Sequence, residues 1–119
     1  MRRDPRKYLE DLLQCILEIE LTVGGLGFET YQEVFLLRRG CERDFIIIAE
    51  ALSHIGQISP ELHSRVDHVR NIANFRNIIV HGYMYVDDAY VWKVIQESVP
   101  ILKQQIEAWA AELDAAQHP

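Results

Sequence analysis

Asp67-His68-Val69-Arg70-Asn71-Ile72-Ala73-Asn74-Phe75-Arg76-Asn77-Ile78-Ile79-Val80-His81-Gly82-Tyr83 carries the most telling pattern in the chain. Wound at ~100° per residue, it places Arg70, Asn74, Asn77 and His81 on one polar stripe and Val69, Ile72, Phe75, Ile79 and Val80 opposite, as a helix with one side in a core requires. Arg76 falls among the apolar residues. A guanidinium cannot shed its charge, so in that position it needs a carboxylate, backbone carbonyls, an anion or a facing subunit to offset desolvation. Glu50 is the intramolecular candidate. The plainest reading is a buried Arg76–Glu50 ion pair, with His81 capping the helix end before Gly82.

Working outward, Leu9, Leu12, Leu13, Ile16, Ile19 and Leu21 recur near helical spacing from Pro5 to Val23, with Asp4 as the cap before Pro5. Gly24, Gly25 and Gly27 end that helix, because glycines make further helix costly in backbone entropy. Thr30 with Glu33 three residues on forms a capping box and predicts a second helix through Leu37, with a joint at Gly40. Cys41 to Ile55 is apolar on most sides and predicts a centrally buried helix, with Glu50 as its odd residue. Ser59 and Pro60 open a short turn of helix to Val66. A last helix runs from Asp88 to about Ala115, and Pro100 should kink it by removing one backbone donor. Strand alternation, internal repeats and low-complexity tracts are absent from the sequence. The expected fold is all-α, a four- to five-helix up-and-down bundle in a single domain spanning residues 1–119.

A chain of 119 residues, 49% hydrophobic, suffices for one core. Its longest apolar run, Phe45 to Ala49, is far short of the ~20 residues a membrane span needs, and Met1-Arg2-Arg3-Asp4-Pro5 lacks the apolar centre of a signal peptide. A cytoplasmic protein without membrane association is expected. In a reducing compartment Cys15 and Cys41 read as packing residues. His54, His63 and His68 have no standard ligand spacing, so neither metal nor other cofactor is expected. Trp92 and Trp109 fall on the apolar face of the last helix. The net charge of −6 works against long-range attraction of a polyanion, and the clusters Arg2-Arg3-Arg6-Lys7 and Arg38-Arg39-Arg43 offset it only locally.

The pattern Arg76-x-x-x-x-His81-x-Tyr83, with Asn77 directly after the arginine, is more specific than an arginine and a histidine alone. Together with Tyr8-Leu9-Glu10-Asp11-Leu12-Leu13, Ile47-Ile48-Ala49-Glu50-Ala51 and the tail from Val91-Trp92 to Val99-Pro100-Ile101-Leu102, it resembles the HEPN superfamily and, within it, the HepT toxins, over nearly the whole chain. Two departures are Ala49, where relatives often have glycine, and Gly82, where they commonly have aspartate or another polar residue. The resemblance implies a metal-independent endoribonuclease of a type VII toxin–antitoxin system, with Arg76 and His81 catalytic and Asn77 and Glu50 in support. It also implies a homodimer, or a higher assembly of dimers, formed through the motif helix, and RNA as substrate. By the same resemblance a cognate MntA-like nucleotidyltransferase antitoxin silences the toxin by AMPylation of Tyr83.

The implied chemistry is physically sound. A histidine near its ordinary pKa of ~6.5 can take the ribose 2′-hydroxyl proton or protonate the leaving oxygen, while an arginine fork stabilises charge on the phosphate. On one regular helix, however, Arg76 and His81 are separated by about 140° and ~7.5 Å of rise, so they do not aim at one atom. A facing subunit brings such groups together, as does loosening of the helix at Gly82. Two other readings stand beside this one. The first is a non-catalytic HEPN module that binds a nucleotide or presents a substrate to a minimal nucleotidyltransferase; the second is a purely structural helical dimer.

Overall fold

The computed structural model describes residues 4–58, 75–77, 79, 80 and 86–117. Helix α1 spans Pro5–Val23, α2 Phe28–Glu33, α3 Phe35–Ile58, α4 Asp88–Lys93 and α5 Val99–Gln117, with a π turn over Val94–Ser98 joining the last two. Residues 75–77, 79 and 80 are helical as well, and no strand occurs among the described residues. The all-α expectation holds. Ser59 to Val66, expected as a turn of helix, lies outside the described residues.

α1 begins and ends where its sequence directs. The Asp4 carboxylate accepts from the Arg6 backbone N–H at 2.9 Å, and Pro5 occupies a first-turn position where its missing N–H costs nothing. At the other end the Gly24 N–H donates to the Glu20 carbonyl at 2.9 Å, so close that a β-carbon on Gly24 would stand 2.8 Å from that oxygen. Gly25 then takes φ +78°, in the left-handed region that favours glycine.

The second helix departs from expectation. It starts at Phe28 behind Gly27 rather than at Thr30, and it breaks at Val34 rather than Gly40, which lies inside α3. Aromatic packing overrides the capping box: Phe28 and Tyr31, three apart and on one face, set their rings 6.2 and 5.2 Å from that of Trp92. The break at Val34 leaves the Gln32 carbonyl without a helical donor, and the Arg38 guanidinium donates to it.

α1 is the central element. Tyr8 stacks on His54, and Cys15 lies beside Asp44, so α1 and α3 run antiparallel. Arg6 approaches Asp114 at 3.8 Å and Lys103 approaches Glu20 at 3.1 Å, so α1 and α5 are antiparallel too. Leu9, Leu12, Ile16 and Ile19 from α1, Ile48, Leu52 and Ile55 from α3, and Ile106 and Trp109 from α5 are at most 1% exposed. Burying each such side chain contributes roughly 1.5–3 kcal/mol before chain entropy is subtracted. Leu21, by contrast, points outward at 75% exposure. α3 is amphipathic rather than buried on most sides, with Arg43, Glu50, Ser53 and Gln57 exposed.

Where a kink is expected at Pro100, the chain forms a π turn just before it. The Val99 N–H donates to the Val94 carbonyl, five residues back, in the π turn. Pro100 has no N–H for the Gln96 carbonyl, and its ring would crowd that oxygen in a regular helix; the wider turn relieves both conflicts. Trp109 is fully buried and Trp92 half-buried against the core, as their apolar face requires.

Candidate active site

Phe75 anchors the one described part of the motif. Its ring is 3% exposed and wedged between Phe45 of α3, edge-on at 4.9 Å, and Tyr90 of α4 at 5.6 Å. Ile79, one turn on, is buried beside it at 7% exposure. These two residues fix which face of the motif helix meets the core. Arg76, ~100° further round, therefore leaves at the core's edge.

At that edge the Arg76 side chain is 36% exposed. Its Nη2 stands 3.9 Å from Glu50 Oε1, and its Nη1 donates to Asn77 Oδ1 at 3.4 Å. The Glu50 side chain is itself 53% exposed. The ion pair expected with Glu50 is thus present, but it is long and solvated rather than buried. The desolvation that seemed to demand it is not incurred, because Arg76 projects past the apolar face. A pair of this kind contributes ~0–1 kcal/mol. A guanidinium has five N–H donors; among the described residues it makes these two long contacts, and its solvated side can meet an anion.

Arg76, Asn77 and Glu50 are therefore brought together. Asn77 meets the arginine, its Oδ1 accepting from the guanidinium. His81 and Tyr83 lie outside the described residues, as do His63 and His68. His54 is stacked on Tyr8, with ring centroids 5.3 Å apart and planes 14° from parallel. Of the two cysteines expected as packing residues, both are buried, but Cys15 also belongs to a group the sequence did not disclose. Its Sγ and carboxylate oxygens of Glu18 and Asp44 all lie within 4.8 Å of one another. The Cys15–Glu18 spacing, one helical turn, was visible; the approach of Asp44 from α3 is tertiary and was not.

A separate groove of about 560 Å³ opens between the end of α1 and the π turn, flanked by the Glu20–Lys103 pair, and Arg76 does not line it. No helix among the described residues is long and apolar enough to cross a membrane.

The family model described as "Ribonuclease HepT-like" matches residues 12–109, which include Glu50, Arg76, Asn77, His81 and Tyr83. The chain belongs to the HepT-like ribonuclease family. Among its relatives, a protein of Caldanaerobacter subterraneus subsp. tengcongensis named "Putative RNase" is 34% identical, over 87% of this chain and 92% of its own length. A "Probable ribonuclease HepT" of Thermococcus cleftensis is 32% identical, over 90% of this chain and 96% of its own. A second "Putative RNase", from Methanocaldococcus jannaschii, is 26% identical over 89% and 96%. No solved structure matches the chain significantly. In this HepT-like chain, Arg76 and Asn77 are the members of the motif whose placement the described residues define, and the Arg76 side chain is partly solvated.

Proposed function

We propose that this chain is the toxin of a toxin–antitoxin pair, a metal-independent endoribonuclease in which Arg76 and His81 act together on an RNA phosphodiester. The observation that supports the reading best is the position of Arg76: charged, partly solvated at the rim of the core, and in long contact with Glu50 and Asn77 inside a HepT-like ribonuclease chain. His81 removes the 2′-hydroxyl proton, the 2′-oxygen attacks phosphorus, and the Arg76 fork stabilises the charge gathering on the phosphate oxygens. The 5′-oxygen leaves with a proton, giving a 2′,3′-cyclic phosphate end, and DNA is spared because it lacks the attacking group.

The helical offset between Arg76 and His81 favours a composite site, in which the arginine of one protomer works with the histidine of its partner across a twofold axis. The partner that restrains the toxin is an MntA-like nucleotidyltransferase, which adds AMP to Tyr83 and so sets a bulky anion beside the phosphate site. The protein acts in the cytoplasm. The net charge of −6 favours one competing reading, a non-catalytic HEPN module that presents a nucleotide or substrate to such an enzyme.

Cleavage of purified RNA in chelator separates the two readings when it is run with wild type, Arg76→Ala, His81→Ala and the two variants mixed and allowed to exchange subunits. The proposal expects wild type to cut, each variant to fail, and the mixture to recover cutting through the one intact site of each mixed dimer. Wild type that leaves RNA intact favours the binding module. A mixture that stays dead while wild type cuts would remove the composite site.

A further inference from the structure

Cys15 and Glu18 are one turn apart on α1, and Asp44 faces them from α3. Cys15 is 5% exposed and Asp44 9%, while Glu18 is exposed at the protein surface. Among the described residues no Lys, Arg or His side chain pairs with Asp44. Among the described residues its neighbours are the Glu18 carboxyl and the Cys15 thiol, so this nine-tenths buried carboxylate faces a second acid and a thiol. Burial, followed by the hydrogen bond and charge of Glu18, pushes Asp44 up to about 7. Burial and the Asp44 charge push the Cys15 thiol up to about 12.

We infer that Cys15, Glu18 and Asp44 form a binding site for a thiophilic divalent cation of the Zn²⁺ class, which fastens α1 to α3. The donor set is one sulfur and two carboxylates, which suits zinc and its neighbours and not magnesium, a hard ion that takes oxygen alone. Tetrahedral zinc holds sulfur at ~2.3 Å and oxygen at ~2.0–2.2 Å, so its donors stand ~3.3–3.8 Å apart. Donors already within 4.8 Å need only side-chain rotation to close on it. The fourth position is left to water. The Gln14 amide donates to Glu18 Oε1 at 3.3 Å and so holds one ligand from behind.

Binding displaces the thiol proton and any proton that the Asp44 carboxyl holds, and the two positive charges of the cation offset the negative charges this leaves at the interface. Glu18, at the surface, offers the way in. None of the three residues belongs to the motif, and the inference does not rest on the ribonuclease reading.

The test uses the full chain, stripped by chelator and titrated with Zn²⁺ and with Co²⁺. Expected are one ion bound per chain, release of protons, a thiolate-to-cobalt charge-transfer band, and a rise in Tm on the order of 5 °C at saturating zinc. Mg²⁺ should leave Tm unchanged. Cys15→Ser should abolish the band, Cys41→Ser should keep it, and Asp44→Asn should weaken binding by about tenfold or more. In wild type, which raises no question of folding, zinc should slow alkylation of Cys15 more than that of Cys41. No charge-transfer band, a band that survives Cys15→Ser, or equal protection of both thiols would overturn the inference.

Discussion

Phe75 meets Phe45 edge to face, with ring centroids 4.9 Å apart and planes at 82°, and this contact sets the direction in which Arg76 leaves the motif helix. The positive charge of the candidate site is thus aimed by a hydrophobic contact between two helices. Truncation of the anchor should disturb both stability and site.

Phe75→Ala should cost about 3–5 kcal/mol, because it removes a 3% exposed ring from between Phe45 and Tyr90 and leaves a cavity there. Phe75→Leu should cost less. Denaturant unfolding of the three proteins measures the order; equal stability of wild type and Phe75→Ala would show that the ring does not anchor this helix.

The Arg76–Glu50 pair should matter little to folding. At 3.9 Å and half-solvated, it predicts that Glu50→Gln and Arg76→Ala each change unfolding free energy by under about 1 kcal/mol. Arg76→Ala should nevertheless lower RNA cleavage by about 10²-fold or more, the scale of losing a charged donor to a developing oxyanion. A large loss of stability in Glu50→Gln would instead identify a structural pair.

Gly40 lies within α3, and a β-carbon there would have nothing within 4 Å. Gly40→Ala should therefore stabilise the protein by about 0.5–1 kcal/mol, since alanine loses less backbone entropy in a helix. Chemical denaturation checks this; a destabilised variant would place the joint at Gly40 after all.

The Asp4 cap should register in pH. Hydrogen bonds from the Arg6 backbone and side chain hold the Asp4 carboxyl below its ordinary value. A depressed folded pKa gives stability that is present above the unfolded value of ~3.9 and lost as pH falls through the folded value. Wild type should melt above Asp4→Ala at neutral pH, and the difference should shrink as pH drops below about 4. A pH-independent difference would assign the effect to something other than the carboxylate.

Much of this architecture was legible in the chain because the relevant forces are local. Asp4-Pro5 and Gly24-Gly25 bound α1 through capping and backbone freedom, and the apolar repeat of α5 reports its buried face. Where tertiary contacts compete with local rules, the reading failed. The Thr30–Glu33 capping box lost to the aromatic contacts of Phe28 and Tyr31 with Trp92, and Gly40 was carried through by the packing of α3. For the site, the pattern Arg76-Asn77 and the partner Glu50 could be named from sequence. That their contact is solvated, and that Asn77 turns to the arginine, depends on how Phe75 seats against Phe45. Asp44 beside Cys15 joins residues distant in the chain that no spacing rule connects.

We propose above that Arg76 and His81 cut RNA through its own 2′-hydroxyl. The most direct test is product analysis, in chelator, of a defined RNA mapped for its cleavage position and then remade with a single 2′-deoxy nucleotide immediately 5′ of the scissile phosphate. Expected are a 2′,3′-cyclic phosphate end from the all-ribose strand, no cut at the deoxy position, and no cut of either strand by His81→Ala. Cleavage at the deoxy position, or undiminished cleavage by His81→Ala, would contradict it.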